Sequence, residues 1–356
     1  MPSIGSIIEL SNVTHALSAQ LLTTSTDIVY GHTVTSIQWP PYTADSCASE
    51  EDVTFDMCRP VELTLNHSDD GSRKITAQLV VGADGAESFV RRSAGIQVQR
   101  WSYDQRGLVA TLNISPSSGD DENQTAWQRF LPTGPLALLP LSNEWSSLVW
   151  SAPPETAVKL QKMAPKDFCA LLNAAFVLTP VDVQYLVDAV DEQGHTGEGF
   201  LEQEISWRME VLLKEQSLDF RMMPPQIMDV VDKSRASFPL RLRQAESYIR
   251  PRLALLGDAA HVMHPLAGQG LNMGMGDVKA LTDILKEAVR SGQDFGDLSV
   301  LRKYNQDRML KNAGMQMTVD GIGKLFKSDL YPLQQLRSLG LDMLNDVPLI
   351  KVSHGQ

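Results

Sequence analysis

The residues best suited to chemistry stand between Arg252 and Gly274. Gly257-Asp258 closes the apolar run Leu253-Ala254-Leu255-Leu256, and Gly268-Gln269-Gly270 opens a stretch of helical spacing. A carboxylate at the end of a buried strand accepts hydrogen bonds from sugar-like hydroxyls, and ligands of open α/β sheets bind at that edge. Gly257 allows a turn and the close approach of a ligand. Pro265 stiffens the intervening loop. Gly268 and Gly270 remove side chains where a flat ring would lie. Leu271 and Asn272 begin the helix, whose first N–H groups and positive dipole end point at the loop. That arrangement stabilises negative charge developing on a bound ring. The chemistry implied is the holding of a large anionic cofactor. A plain strand, loop and helix with no ligand is the competing explanation.

A second signal lies upstream. The run Leu79-Val80-Val81 ends in Gly82-Ala83-Asp84-Gly85, and Ser88, Val90, Arg91 and Arg92 follow. Asp84 and Gly85 sit where a strand turns. Arg91 or Arg92 is placed to meet a pyrophosphate. Alone, a simple turn explains this segment equally well. Paired with the downstream run it becomes specific.

The elements that position these residues follow from periodicity. Leu271, Met275, Val278, Leu281, Leu285 and Ala288 predict an amphipathic helix that stops at Gly292. Segment 7–21 reads as a helix, and 27–30 and 33–37 as strands. Residues 101–150 read as strands with Pro/Gly turns, among them 128–131, 136–139 and 147–150. Segments 44–56 and 115–124 read as polar loops, and 166–176 and 304–327 as helices. The last is a packing helix or an amphipathic surface contact. Trp101, Trp127, Trp145 and Trp150 are either core packing or an aromatic wall. His261 and His264 lack further ligands of metal spacing, so they line the pocket or satisfy the loop. No metal site is expected.

The two glycine–aspartate segments together resemble those of the class A flavin-dependent aromatic monooxygenases, the para-hydroxybenzoate hydroxylase group. Trp101-Ser-Tyr103-Asp104-Gln105, Ala126-Trp127-Gln128-Arg129-Phe130-Leu-Pro132 and His264-Pro265-Leu-Ala-Gly268-Gln269-Gly270-Leu271-Asn272 are similar to the ubiquinone-biosynthesis hydroxylases, and most of all to their eukaryotic mitochondrial branch. The likeness covers most of 5–320. It implies an α/β fold, with an FAD-binding parallel-sheet domain of glutathione-reductase type and an inserted mixed-sheet substrate domain. The expected boundaries are 1–104 and 246–325 for the FAD domain, 105–245 for the substrate domain and 326–356 for a tail. Asp84, Gly85, Arg91, Gly257, Asp258, Pro265, Gly268, Gln269, Gly270, Leu271 and Asn272 are then the FAD contacts, and no side chain is assigned as a nucleophile. The resemblance further implies O2 as co-substrate and C5 hydroxylation of a 4-hydroxy-3-polyprenylbenzoate-type phenol. It also implies a ferredoxin-type electron donor, other coenzyme Q biosynthesis proteins as partners, and a peripheral position on the matrix side of the mitochondrial inner membrane.

That family opens with a strand and Gly-x-Gly-x-x-Gly, where a helix N-terminus cradles the pyrophosphate. This sequence carries no such segment and no presequence. The first βαβ unit is therefore expected to be absent, which exposes apolar strand edges. Weak or no autonomous FAD binding is the corresponding expectation. The alternative function is then an inactive form that serves as an interaction subunit of the coenzyme Q synthesis complex.

Composition bounds the rest. The chain has 356 residues with 43% hydrophobic and 21% charged, ordinary for one large core or two domains. A formal charge of −12 argues against nucleic acid. Cys47, Cys58 and Cys169 are scattered and odd in number, which favours free thiols over a disulfide frame.

Overall fold

A computed structural model describes residues 7–40, 59–67, 71–115, 123–215, 223–263 and 269–327. In chain order the elements are α1 (Leu10–Leu21), β1 (His32–Gln38), β2 (Val61–His67), β3 (Gly71–Ala77), β4 (Val80–Gly82), α2 (Phe89–Ser93), β5 (Val98–Ile114), β6 (Trp127–Leu131), β7 (Gly134–Pro140) and β8 (Trp145–Ala152). There follow α3 (Pro154–Lys162), α4 (Pro165–Val177), α5 (Pro180–Asp188), α6 (Phe200–Glu215), β9 (Ile227–Val230), β10 (Ala236–Ala245), β11 (Ile249–Arg250), β12 (Leu253–Leu255), β13 (His261–Val262), α7 (Gly270–Arg290) and α8 (Leu298–Lys327). The chain divides into two units. One holds residues 1–25, 104–240 and 323–356, and the other 26–103 and 241–322.

In the first unit the strands follow the order β10-β5-β8-β7-β6, with β9 also on β5. The β5, β8 and β7 pairings are antiparallel, and Leu108 and Leu136 both stand opposite Trp150. All three are fully buried. Alternation along β8 puts Leu148 and Trp150 into this core. Helices α3, α4 and α5 each begin with proline in the first turn, where the missing N–H costs nothing. The buried faces of α4 and α5, with Phe168, Leu172, Val183 and Leu186, complete the cluster. Cys169 belongs to it, and burial pushes its thiol up to about 11. It is therefore a packing residue rather than a nucleophile.

The second unit carries the glycine–aspartate segments. Strands β1, β2 and β3 form an antiparallel sheet. Strands β11, β12 and β4 form another, in which β12 and β4 are parallel. Leu253, Ala254 and Leu255 are all buried, as their continuous apolar run predicts. Val80, Val90, Tyr248, Leu281, Leu301 and Tyr304 close the core around them.

Two expectations are corrected. Segment 27–30 forms no strand, and Val29 and Tyr30 are exposed. Helix α7 does run to Arg290 and ends before Gly292 at φ +67°. Its buried face, however, is Met273, Asp277, Leu281 and Ala288. Leu271, Met275 and Val278 are exposed, so the apolar stripe does not mark the buried side of the first two turns. The reason is the buried Asp277, which turns the helix toward polar partners described below.

Candidate functional site

The register of the parallel pair decides where the two segments meet. Leu253 stands opposite Val80, Ala254 opposite Val81 and Leu255 opposite Gly82. The N–H of Leu256 continues the ladder onto the Gly82 carbonyl at 2.9 Å. Both chains then leave at the carboxyl end of their strands, so Asp84-Gly85 and Gly257-Asp258 emerge at one sheet edge. Gly82 lets the pair close, because a Cβ there would meet Leu255 at 2.8 Å and Val90 at 3.0 Å.

On the first loop, Asp84 Oδ2 accepts from the N–H groups of Phe89 and Val90 at 2.7 and 3.1 Å. Ser88 Oγ accepts from Arg91 N–H at 2.9 Å. These two side chains cap α2 and fix the turn at Gly85, whose φ is +80°. Both bonds to Asp84 fall on one oxygen. Arg91 is 2% exposed. Its Nη1 donates to the Ala259 carbonyl at 2.7 Å and its Nη2 to the Ala86 carbonyl at 3.0 Å. One guanidinium therefore ties the two loops together. Burial, and then the nearby Arg243, lower its pKa. Its Nε is buried without a partner among the described residues. Arg92, the other cation considered for a pyrophosphate, donates to the Glu87 carbonyl.

On the second loop, Gly257 has φ +53° and opens a 3₁₀ turn over Gly257–Ala259. Asp258 is exposed, and no described residue pairs with it. Gly257 also faces Gly274 of α7, since a Cβ on Gly274 would lie 3.5 Å from the Gly257 Cα. The first turn of α7 holds no acid, so its N–H groups and the positive end of its dipole are left for an outside acceptor. Gln269 precedes it without a side-chain cap, and Asn272 Nδ2 donates to Gln269 Oε1 at 3.1 Å. Nothing lies within 4 Å of a Cβ built on Gly270. Leu271 is 52% exposed. Pro265, Gly268 and His264 lie outside the described residues.

Sequence reading missed what holds this loop. Asp277 is fully buried. Its Oδ2 accepts from Gly257 N–H at 3.0 Å and pairs with His261 Nε2 at 2.6 Å. Its Oδ1 accepts from Arg308 Nε at 2.8 Å and Asn312 Nδ2 at 3.1 Å. Burial alone would raise the Asp277 pKa, but the bonds from His261, Arg308 and Asn312 outweigh it and hold the carboxyl below its ordinary value. Arg308 also reaches the Met273 carbonyl, and Asn312 the Tyr248 hydroxyl. Tyr304 donates to the Leu255 carbonyl at 2.7 Å. Burial drives the Tyr248 hydroxyl up to about 12, so it stays protonated. The network locks α7 and α8 to the end of β12. Of the two readings of His261, it follows the one in which it satisfies the loop. Among the described residues no acid, histidine and cysteine group is arranged to hold a metal ion.

The arrangement suits an elongated, polar, anionic ligand with a flat end. Exposed Asp258 offers a hydroxyl acceptor, Asp84 offers a second, and the α7 start offers donors beside an open glycine. The residues present thus fit a flavin dinucleotide along this edge.

A family model described as an FAD binding domain matches residues 56–187 and 221–318. The mitochondrial ubiquinone biosynthesis monooxygenase COQ6 of Rattus norvegicus is 39% identical over 355 residues, which cover 99% of this chain and 68% of that protein. Among solved structures, p-nitrophenol 4-monooxygenase PnpA from Pseudomonas putida DLL-E4 has a TM-score of 0.63 at 16% identity, covering 97% of this chain and 70% of that one. The OxyS anhydrotetracycline hydroxylase from Streptomyces rimosus has a TM-score of 0.58 at 20% identity, and this chain spans 54% of its length. These two likenesses show the fold alone.

Proposed function

Because this chain belongs to the FAD-dependent aromatic monooxygenases, in the family of the ubiquinone biosynthesis monooxygenases, we propose that it hydroxylates a polyprenylated phenol in mitochondria with O2. The finer form of the proposal is C5 hydroxylation of a 4-hydroxy-3-polyprenylbenzoate-type ring. Its electrons come from a ferredoxin-type donor. Its setting is the matrix face of the inner membrane, among other coenzyme Q biosynthesis proteins. The observation that carries the reading is the parallel β4–β12 register, which delivers Asp84 and Asp258 to one edge.

FAD, when bound, supplies the activation of O2 for insertion into an electron-rich ring. The chain's own residues do the positioning. Asp258 and Asp84 would accept from hydroxyls of the cofactor, and Gly85 would let it approach the turn closely. Gln269, Gly270, Leu271 and Asn272 set donors and a positive field at the ring. Pro265 and Gly268 are assigned to the same loop. Arg91 holds the two loops in register and acts through them. A membrane contact would be peripheral, and among the described residues no helix is long and apolar enough to cross a membrane.

The test is a visible flavin spectrum of the purified chain after FAD addition and desalting. A stoichiometric retained band supports the cofactor site and overturns the expectation of weak or no autonomous FAD binding, and regiochemical analysis of the hydroxylated phenol then tests the ring position. A colourless, folded chain would overturn autonomous cofactor binding and favour the interaction-subunit alternative. Within a flavin-retaining chain, Asp258→Ala is expected to weaken FAD by about tenfold to a hundredfold, the worth of a charge-assisted hydrogen bond. Unchanged affinity in a fluorescence titration would remove Asp258 from the site.

A further inference from the structure

Helix α6 carries Glu204, Trp207-Arg208 and Val211-Leu212 at three- and four-residue steps, which sets them along one side of the helix. The start of α5 packs against that side. Pro180 opens α5, and Thr179 caps it by accepting from the Asp182 N–H at 3.2 Å. The Thr179 hydroxyl also donates to Asp182 Oδ2 at 2.6 Å, which fixes the carboxylate at its own helix start. Asp182 Oδ1 accepts from Arg208 Nε at 3.0 Å. Arg208 Nη1 donates to Glu204 Oε2 and to the Glu204 carbonyl. No described residue accepts from Arg208 Nη2. The guanidinium lies 4.6 Å from the centre of the Tyr185 ring and 5.2 Å from that of Trp207. Leu178, Val211 and Leu212 form the apolar wall of a cavity of about 120 Å³ between the helices. Thr179, Asp182 and Arg208 form its polar end, and Trp207, 59% exposed, forms its lip.

We propose that this cavity binds a single uncharged phenol ring. Its size sets the ring count. A cavity of about 150 Å³ takes benzene, and this one is slightly smaller but open at Trp207, so one ring seats with an edge in solvent. The ring packs on Leu178, Val211 and Leu212 and lies against the indole, where offset or edge-to-face contact is favourable. A phenol hydroxyl both donates and accepts. It accepts from Arg208 Nη2 and donates to Asp182, whose carboxylate oxygens each take more than one hydrogen bond. Two carboxylates beside one guanidinium leave this end with a net negative charge. An ionised benzoate is therefore repelled, whereas a phenol is neutral at pH 7. The cavity belongs wholly to the first unit and shares no residue with the edge that carries Asp84 and Asp258. Binding here thus needs neither the cofactor nor the hydroxylation reading.

The probe is p-cresol, titrated onto the full chain by calorimetry and followed by saturation-transfer NMR. Toluene, which lacks the hydroxyl, and 4-hydroxybenzoate, which adds a charge, are the comparators. Trp207→Leu removes an exposed indole, and Arg208→Lys keeps the charge but removes the planar fork. The urea midpoint checks that both variants fold, and Trp207→Leu carries the test should Arg208→Lys fail to. The expected Kd of p-cresol is on the order of 1 mM, in keeping with so small a ligand. Toluene and 4-hydroxybenzoate should bind at least about tenfold more weakly, as should p-cresol to Arg208→Lys, the worth of one charge-assisted hydrogen bond. Trp207→Leu should weaken p-cresol by about threefold or more, the worth of an aromatic contact. No p-cresol binding, equal binding of 4-hydroxybenzoate, or unchanged binding in Trp207→Leu each overturns the site. The last of these would mean that the phenol sits elsewhere on the chain.

Discussion

Replacing Asp277 with alanine is expected to destabilise the protein by about 3–5 kcal/mol, the range for removing one partner of a buried charge pair. The loss would be read as a lower urea midpoint with an unchanged slope. The size follows from what is stranded. Gly257 N–H, His261 Nε2, Arg308 Nε and Asn312 Nδ2 all converge on this carboxylate. Arg308 would keep its charge in a place with little water. Asp277→Asn keeps the shape and removes the charge, so it isolates the electrostatic part. The pH dependence has a definite sign. The folded state holds the Asp277 carboxyl below its ordinary value, so the unfolded chain takes up that proton first as acid is added. Its stabilisation is therefore complete above the ordinary carboxylate range near about pH 4. It is lost as pH falls through the lower folded value. The parent should lose stability on the acid side more steeply than Asp277→Asn. Parallel acid limbs for the two proteins would dismiss Asp277 as the group responsible.

Arg91→Ala should rank second, at about 3 kcal/mol, from two charge-assisted hydrogen bonds to carbonyls. It differs from the first in also acting on the ligand edge. Without the guanidinium, the Ala86 carbonyl keeps only Arg243 and the Ala259 carbonyl loses its side-chain donor. The two loops are then free to separate, and retained flavin should fall along with the urea midpoint. Arg91→Lys should recover part of the stability, because one ammonium cannot span two carbonyls in the fork geometry of a guanidinium. A fully restored Lys variant would show that charge alone matters there. An unshifted midpoint for Arg91→Ala would remove the tether altogether.

The strands and the α7 start were legible because they obey local rules. Leu253 to Leu256 form an apolar run with a glycine after it, and α7 ends two residues before Gly292. Segment 27–30 failed because Val29 and Tyr30 have strand propensity but no neighbour to pair with among the described residues. The stripe of Leu271, Met275 and Val278 misled because periodicity reports which residues share a face, not which face is covered. Asp277 was invisible for a related reason. An acid within a helix normally marks the wet side, and its partners His261, Arg308 and Asn312 are separated from it along the chain. Arg91 was recognised as a cation of the site, but Ala259 lies 168 residues away and offers only a backbone oxygen, which no side-chain pattern announces.

The approach of Gly257 to Gly274 carries a consequence for how this sequence can drift. A Cβ added at Gly274 would sit 3.5 Å from the facing Cα, and one added at Gly257 would sit 3.9 Å away. Each distance is ordinary when the other residue has no side chain. The two additions would face each other across the same gap, so their costs are not expected simply to add. The site is epistatic. Gly257 is further restrained by its φ of +53°, which leaves Gly274 the freer partner. A side chain gained at Gly274 would therefore change the cost of a later one at Gly257.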